Sequence, residues 1–142
     1  MKSCDKILKL GDINKGHSCL FITHLLKDKK VPLYGTGKNT RDWLYVLDHC
    51  TAIDRVIHHG KIGEIYNIGG TKKITNLQLT YLLLKLLDKH KSRIGFVADR
   101  PEHDLRYSIC CKKIKKIGWQ PQYDFAAALK DTVEWFKENS NN

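Results

Sequence analysis

The 142 residues are enough for one domain with a hydrophobic core, and the hydrophobic fraction of 42% is ordinary for a globular protein. No apolar run reaches the roughly 18 residues of a membrane span, and the charged N-terminus lacks the apolar stretch of a signal peptide. The five cysteines are odd in number and include no C-x-x-C pair, which argues against a disulfide scaffold and a zinc site. We therefore expect a cytoplasmic protein.

The formal net charge of +10 predicts an anionic partner. Lysines outnumber arginines and are scattered along the chain, whereas base readout favours arginine and phosphate readout favours a continuous stripe. A phosphate-bearing metabolite is therefore favoured over nucleic acid, and we expect no membrane partner. The neighbouring His58 and His59 point apart on a helix and do not predict a metal site.

The first half of the chain alternates helical and extended patterns. Residues 1–16 have no clear period, and we expect a poorly ordered lead-in. Apolar spacing predicts a helix over residues 18–29, then a strand over 31–34, a glycine turn and an extended piece over 43–46. Asp48 is the predicted N-cap of the next helix, which Gly60 ends. Its predicted inner face consists of Cys50, Ile53, Val56 and Ile57.

The second half continues the alternation. Residues 64–68 are predicted as a strand that ends in the pair Gly69 and Gly70. A capping box with Thr75 at the cap starts a leucine-rich helix that we expect to be deeply buried. A strand over 94–98, a polar loop over 99–106, a short basic helix over 110–117 and a last helix from about Asp124 follow. This order defines an α/β fold class, with one domain over residues 17–139 and a frayed tail over 140–142.

Two short motifs do not fit the cofactor sites that they suggest. Gly35-Thr36-Gly37-Lys38 has one residue between its glycines, where a Walker A loop needs four, and Thr40 stands where a dinucleotide fingerprint needs a third glycine. A tight turn is the better interpretation. Tyr81 and Lys85 have the Tyr-x-x-x-Lys spacing, which we interpret as chance because Lys85 interrupts a leucine-rich face.

Residues 99–104, Asp-Arg-Pro-Glu-His-Asp, form the richest polar cluster. The guanidinium of Arg100 can hold a phosphate, His103 can donate to the same oxygens, and Pro101 stiffens the loop. A surface loop with internal ion pairs explains the cluster equally well, so both interpretations stay open from these residues alone.

Six segments together resemble the C-terminal part of the dTDP-glucose 4,6-dehydratases, which are extended short-chain dehydrogenase/reductases of the NAD-dependent epimerase/dehydratase family. They cover nearly everything from about residue 18 onward, in the order and spacing of that family. The segments are VPLYGTGKNTRDWLYVLDHCTAID (31–54), GEIYNIGG (63–70), TNLQL (75–79), DRPEHDLRY (99–107), KIKKIGWQPQYDF (113–125) and TVEWFKEN (132–139).

The resemblance implies the substrate side of a sugar-nucleotide site. The segment around Pro32 and Tyr34 would lie beside the thymine ring. Arg41, Asn67, Arg100 and His103 would contact the diphosphate or its attached groups. The implied substrate-binding residues are thus Pro32, Tyr34, Arg41, Asn67, Arg100 and His103.

The resemblance also implies what this sequence does not contain. Family members are roughly twice as long, and their first half holds the NAD loop, the acid/base group and the catalytic Tyr-x-x-x-Lys. The family reaction oxidises C4 of the sugar, removes water across C5 and C6 and returns the hydride to C6. The resemblance therefore predicts a truncated homologue of an NAD-dependent lyase, inactive alone and with no catalytic, cofactor or metal residues of its own. Two alternatives remain: one half of a split dehydratase that needs a separate NAD-binding chain, and a basic protein with an anionic or nucleic-acid partner.

Local departures from the family pattern include Leu47 in place of a glutamate, Glu102 in place of a glycine and Leu105 in place of an arginine. The strand predicted over 64–68 and the helix from Asp48 would pack on the Rossmann sheet of the first half. Without that sheet, we expect an exposed strand edge, an exposed apolar helix face and self-association.

Overall fold

The structure, a computed structural model, describes residues 17–70, 72–99, 105–106 and 109–139. The predicted lead-in over 1–16 and the predicted tail over 140–142 lie outside these residues. The elements are α1 (His17–Leu26), β1 (Val31–Tyr34), β2 (Thr40–Trp43), α2 (Val46–His59), β3 (Lys72–Thr75), α3 (Asn76–Leu86), a 3₁₀ turn (Lys91–Arg93), β4 (Ile94–Val97), α4 (Lys112–Lys116) and α5 (Phe125–Asn139). The fold is mixed α/β, as predicted.

The chain divides into two compact units. The described residues of the first unit are 17–38, 76–99 and 133–139. The described residues of the second unit are 39–70, 72–75, 105–106 and 109–132. Each unit contains its own pair of strands and its own buried residues.

A parallel pair of strands organises the first unit. β1 and β4 pair in register from Val31 opposite Ile94 to Tyr34 opposite Val97. Helices α1 and α3 pack on each other and on β1. Because β1 alternates between buried and half-buried positions, only its Val31 and Leu33 side chains enter the core. The core side chains of this layer are Phe21, Ile22, Leu25, Val31, Leu33, Leu79 and Leu83.

Helix α3 is buried on one side only. It begins at Asn76, directly after Thr75, as the capping box predicts. Leu79, Leu83 and Leu84 are buried, but Leu82 and Leu86 are 41% and 38% exposed. The expectation of a deeply buried helix is therefore wrong for its outer face, because α3 packs on a single layer of the unit.

An antiparallel pair and a small aromatic core organise the second unit. β2 and β3 pair from Thr40 opposite Thr75 to Trp43 opposite Lys72. The core centres on Ala52 of α2, Ile114 of α4 and Trp119. The indole Nε1 of Trp119 donates to Oγ1 of Thr51 at 3.0 Å, so this buried ring has its polar group satisfied.

Helix α2 begins earlier than predicted and presents a different face to the core. It starts at Val46, and Asp48 lies buried in its first turn, so the prediction of Asp48 as N-cap is wrong. The Asp48 carboxylate instead accepts hydrogen bonds from the backbone N–H groups of Gln122, at 2.8 Å, and Tyr123, at 3.4 Å. Val56 packs on the core as predicted, but Ile53 and Ile57 are exposed. The helix ends at His59 with Gly60 as its C-cap, as predicted.

Residues 64–68 do not form a strand, which corrects the prediction. Tyr66 and Ile68 pack on the core of the second unit, while the side chains of Ile65 and Asn67 between and beside them are exposed. This alternation is that of a strand, but among the described residues no neighbouring segment supplies ladder hydrogen bonds.

Two strands differ from the prediction: β2 lies over Thr40–Trp43 rather than residues 43–46, and β3 was not predicted. The other elements agree with the sequence apart from their ends. α1 stops at Leu26 rather than residue 29, and α4 is limited to Lys112–Lys116. β4 ends at Val97, one residue earlier than predicted. Helix α5 begins at Phe125, where the Asp124 carboxylate accepts from the backbone N–H of Ala126 at 2.9 Å and of Ala127 at 3.1 Å. Asp124 therefore caps the last helix, close to the predicted start.

Candidate substrate-side site

A tight turn follows β1 in the first unit. The N–H of Gly37 donates to the carbonyl of Tyr34 at 2.9 Å, and Gly35 and Gly37 have φ of +53° and +68°. These left-handed angles explain both glycines. A Cβ on Gly35 would also lie 2.7 Å from Oδ2 of Asp99, so the turn sits directly against this carboxylate. The turn predicted from the sequence is confirmed.

Pro32 and Tyr34 share one face of β1. The neighbouring Val31 and Leu33 are buried, and since side chains alternate along a strand, Pro32 and Tyr34 project to the opposite, half-buried side. Pro32 pairs with Gly95 of β4, which has no side chain. The first unit therefore presents a proline and a tyrosine side by side on a face away from its core.

The glycine pair does not fit the pyrophosphate of NAD. A dinucleotide site needs a glycine-rich turn that runs from a strand into the N-terminus of a helix. Here the glycines close a turn after β1, and the chain continues through Lys38 and Asn39 into β2. The side chain of Asn39 is buried. These residues supply no helix N-terminus for a diphosphate, so no chemical step is assigned to NAD bound at this turn.

Arg41 lies in the middle of β2 in the second unit, opposite Ile74 of β3. Its side chain is half-buried, and its NH1 donates to the carbonyl of Thr40 at 2.9 Å. The strand and this hydrogen bond restrict the conformations of the Arg41 side chain. Less side-chain conformational entropy would therefore be lost when it binds an anion.

The pair Gly69 and Gly70 is explained by close packing against β2. A Cβ on Gly70 would lie 1.8 Å from the carbonyl oxygen of Trp43, and a Cβ on Gly69 would lie 2.9 Å from Oδ2 of Asp42. No other residue type fits either position without movement of the backbone or of the Asp42 carboxylate. The two glycines thus hold residues 67–70 directly against the strand that carries Arg41.

Asp42 is a residue that the sequence analysis did not single out. Burial raises the pKa of its carboxyl, and this effect is opposed by the nearby charge of Lys73 and by a hydrogen bond from the Gly70 backbone. Its Oδ1 is buried and has no hydrogen-bond partner among the described residues. Two features of the sequence could have indicated this residue: an acid directly after Arg41, and the adjacent small residues Gly69 and Gly70 that can pack against it.

Asn67 projects outward between two side chains of the core. Tyr66 and Ile68 pack inward, and the Asn67 amide nitrogen donates to the carbonyl of Cys110 at 3.4 Å. Nearby, Lys113 pairs with Glu64, and its ammonium lies 5.2 Å from the ring centroid of Tyr66. Lys113 holds the pKa of Glu64 below its ordinary value through a hydrogen bond and its charge. The Asn67 side chain is therefore exposed, and the contacts of Tyr66, Ile68 and Glu64 hold the segment on which it lies.

The six predicted site residues fall into three groups. Pro32 and Tyr34 lie in the first unit. Arg41 and Asn67 lie in the second unit, on segments that adjoin where Asp42 meets Gly69. Arg100 and His103 lie outside the described residues.

The described residues contain neither a metal-binding cluster nor a membrane-spanning helix. Within them, no group of three histidine, cysteine or acidic side chains is placed to hold a metal ion. None of their helices combines the length and the apolar character that crossing a membrane would require.

Comparison with known structures first defines the class of protein. A dTDP-glucose 4,6-dehydratase from Streptomyces venezuelae, solved with NAD bound, superposes with a TM-score of 0.86 at 44% identity over 90% of this chain and 40% of its own. The corresponding enzyme from Bacillus anthracis, in complex with NAD, gives a TM-score of 0.83 at 44% identity over 90% of this chain and 41% of its own. The chain therefore has the fold of the C-terminal portion of an extended short-chain dehydrogenase.

The family follows from sequence comparison. The model of the GDP-mannose 4,6 dehydratase family matches residues 15–132, and the chain belongs to this family. A dTDP-glucose 4,6-dehydratase from an Actinoplanes species is 46% identical over 121 residues, which are 84% of this chain and 38% of that enzyme. The chain thus spans under two-fifths of that relative's length, and the resemblance read from the sequence is confirmed.

Proposed function

We propose that this chain forms the substrate side of a dTDP-glucose 4,6-dehydratase and binds a dTDP-linked sugar. The observation that carries the proposal is the 46% identity to such an enzyme over 84% of the chain. The structure supports it locally, because the segments that carry Arg41 and Asn67 are packed together through Asp42 and Gly69. The formal net charge of +10 favours capture of a diphosphate.

The proposed roles follow from the chemistry of each side chain. The guanidinium of Arg41 presents parallel N–H donors that match a diphosphate. The exposed amide of Asn67 offers a donor and an acceptor to the groups attached to it. Pro32 and Tyr34 give the thymine ring a flat, half-buried face. Arg100 and His103 are proposed as further diphosphate contacts from the loop that follows Asp99.

We propose that the chain alone does not complete the reaction. Oxidation at C4 of the sugar needs a hydride acceptor and a base for the hydroxyl proton. The turn at Gly35 and Gly37 does not fit the cofactor, and the family resemblance places that base in a segment of the relatives that this sequence does not match. NAD binding is expected only when the segments found in the rest of the relatives' length are present.

Titration calorimetry with dTDP tests the proposed site. The chain is expected to bind dTDP, and Arg41→Ala is expected to weaken the affinity by about tenfold or more, since hydrogen bonds to charged groups are worth about 1.5–3 kcal/mol. Lys72→Ala is the matched control. It removes one positive charge from the β2–β3 pair at an exposed position and should change the affinity by less than about twofold.

Three results would count against this site. They are absence of dTDP binding by a folded chain, equal losses in Arg41→Ala and Lys72→Ala, and unchanged affinity in both Arg41→Ala and Asn67→Ala. Circular dichroism of each variant separates a lost contact from a lost fold.

A second candidate, a two-part enzyme, is favoured by one observation. Four isoleucine side chains of the second unit are exposed to solvent: Ile53, Ile57, Ile62 and Ile65. We call them the isoleucine group. An NAD-binding portion on a separate chain would cover such a surface, as the family resemblance implies. Mixing the chain with the remaining N-terminal portion of the Actinoplanes relative and measuring dehydration of dTDP-glucose tests this. Turnover only in the mixture supports a two-part enzyme, and a complex without turnover counts against it.

A further inference from the structure

Two lysine-rich segments that are about 60 residues apart in sequence lie together in the first unit. Residues 27–30 follow α1, and residues 85–93 run from the end of α3 to β4. Asp28 joins them: Lys89 Nζ lies 2.7 Å and Arg93 NH2 3.2 Å from its Oδ1. Arg93 also donates to the Asp28 backbone carbonyl. The lysines that are scattered in sequence are therefore clustered in space here.

The combined surface, which we call the basic surface, has a large excess of positive charge. It contains seven lysines and arginines and two aspartates, so its formal excess is five of the chain's net +10. The charges of Lys89 and Arg93 are partly balanced by Asp28. By contrast, four exposed lysines form no ion pair with any described residue: Lys27, Lys29, Lys30 and Lys85.

The outer face of α3 continues the basic surface with apolar side chains. Tyr81, Leu82 and Leu86 are 43%, 41% and 38% exposed. Lys85 projects from the same outer face of the helix, one turn from Tyr81. The ammonium of Lys91 lies 5.6 Å from the ring centroid of Tyr81, which fixes this face of the helix beside the lysine-rich loop. No acidic residue occurs between Asn76 and Leu87.

This combination fits the surface of an anionic bilayer better than nucleic acid. Nucleic-acid sites favour arginine forks, and the single guanidinium here, that of Arg93, is engaged by Asp28. Two exposed leucines gain nothing from a phosphate backbone but gain by insertion among acyl chains. Lysines on flexible stems reach lipid headgroups from a convex helix face without needing a defined geometry.

We propose, in place of the sequence-based expectation of no membrane partner, that the basic surface and the outer face of α3 form a peripheral contact site for anionic phospholipid. The lysines are attracted to the negative headgroups, and Leu82 and Leu86 enter the boundary between headgroups and acyl chains. This contact is independent of the proposed sugar-nucleotide site.

A vesicle flotation assay tests the proposal, because bound protein floats and aggregated protein sinks. Vesicles of phosphatidylcholine with about 30% phosphatidylserine are expected to carry the chain upward at low salt, and pure phosphatidylcholine vesicles are not. Raising the salt from about 50 to 300 mM should release most of it. The triple variant Lys27→Gln/Lys29→Gln/Lys30→Gln should lower the partition coefficient by about tenfold or more. Leu82→Ser/Leu86→Ser should lower it by several-fold.

The matched control removes the same charge elsewhere. Lys112→Gln/Lys115→Gln/Lys116→Gln takes three exposed lysines from the second unit and leaves the Lys113–Glu64 pair intact. It is expected to change the partition coefficient by less than about twofold. Equal losses in both triple variants would overturn the proposal in favour of unspecific charge attraction. Unchanged binding in Leu82→Ser/Leu86→Ser, or release from vesicles by an equimolar single-stranded oligonucleotide, would also overturn it.

Discussion

At the scale of single residues, Asp42 has an unusual environment. It lies between Arg41 and Trp43, and its Oδ1 is buried without a described partner. Gly69 packs against its carboxylate, and the Gly70 backbone donates a hydrogen bond to it. Burial disfavours the charged form, and this raises the pKa of Asp42 above its ordinary value of 3.8. The Asp42 carboxylate therefore links β2 to the segment of Asn67 through the Gly70 backbone, but its burial lowers the free energy of unfolding at neutral pH.

The sign of this effect gives a pH-dependent prediction. Because the folded state binds the Asp42 proton more readily than the unfolded chain, stability from this group is largest near and below pH 3.8 and is lost as the pH rises through the raised pKa. Asp42→Asn is therefore expected to increase the free energy of unfolding at pH 7, and the gain should shrink as the pH falls towards 4. Urea unfolding of both chains between pH 4 and 7 measures the difference. A gain that is independent of pH, or a loss at pH 7, would contradict the explanation.

The glycines that surround the proposed site residues show what can be predicted from sequence and what cannot. The turn at Gly35 and Gly37 could be predicted, because it depends on local backbone angles that only glycine adopts easily. The function of Gly69 and Gly70 could not, because it depends on Trp43 and Asp42, about 27 residues away in sequence. Arg41 and Asn67 were singled out only by resemblance to a family. Neither charge nor spacing alone distinguishes them from other polar residues.

At the scale of elements, α2 owes its placement to a buried carboxylate rather than to a cap. The sequence suggests Asp48 as the N-cap, because an acid precedes an apolar repeat, but the helix starts at Val46. The Asp48 carboxylate instead holds the backbone of Gln122 and Tyr123, more than 70 residues later. Such long-range partners leave no local pattern in the sequence.

This role makes Asp48 a sensitive position. Asp48→Ala leaves two backbone N–H groups without their acceptor and should lower the free energy of unfolding by about 2–3 kcal/mol. Asp48→Asn keeps one acceptor oxygen and should have a smaller effect. Asp54→Ala, on an exposed position of the same helix, serves as control and should stay within about 0.5 kcal/mol, since its contact with His58 is exposed. Denaturant unfolding measures all three, and a similar loss in the Asp48 and Asp54 alanine variants would refute the assignment.

The segment over residues 64–68 shows why a strand prediction failed at this scale. Its side chains alternate as in a strand, and periodicity is what sequence reasoning detects. A strand also needs a neighbour for its hydrogen bonds, and no described segment provides one. The alternation of side chains therefore indicates an extended backbone, whereas strand pairing depends on a neighbouring segment elsewhere in the chain.

At the scale of the whole molecule, the isoleucine group exposes four large apolar side chains on the second unit. Ile57 is 72% exposed and Ile65 is 80% exposed. Exposed isoleucines in this number are typical of a surface that another chain or segment covers. The chain spans 36–38% of the length of three dTDP-glucose 4,6-dehydratases to which it is similar.

The isolated chain is therefore expected to self-associate. Sedimentation velocity should show a weight-average mass that rises with concentration, and Ile57→Lys/Ile62→Lys should reduce this rise without loss of the fold, since both side chains are exposed. Gln120→Lys/Gln122→Lys adds the same charge at other exposed positions of the second unit and should leave the association unchanged. A wild-type chain that is monomeric at all concentrations and melts cooperatively at high temperature would argue against this.

Amide hydrogen exchange with added dTDP, compared with added NAD, tests the central claim most directly. If the chain carries the sugar-nucleotide side and lacks the cofactor side, dTDP should slow exchange in residues 31–37, 40–43 and 67–70, and NAD at the same concentration should leave them unchanged. Protection by NAD alone in these segments, or protection by dTDP confined to other parts of the chain, would contradict it.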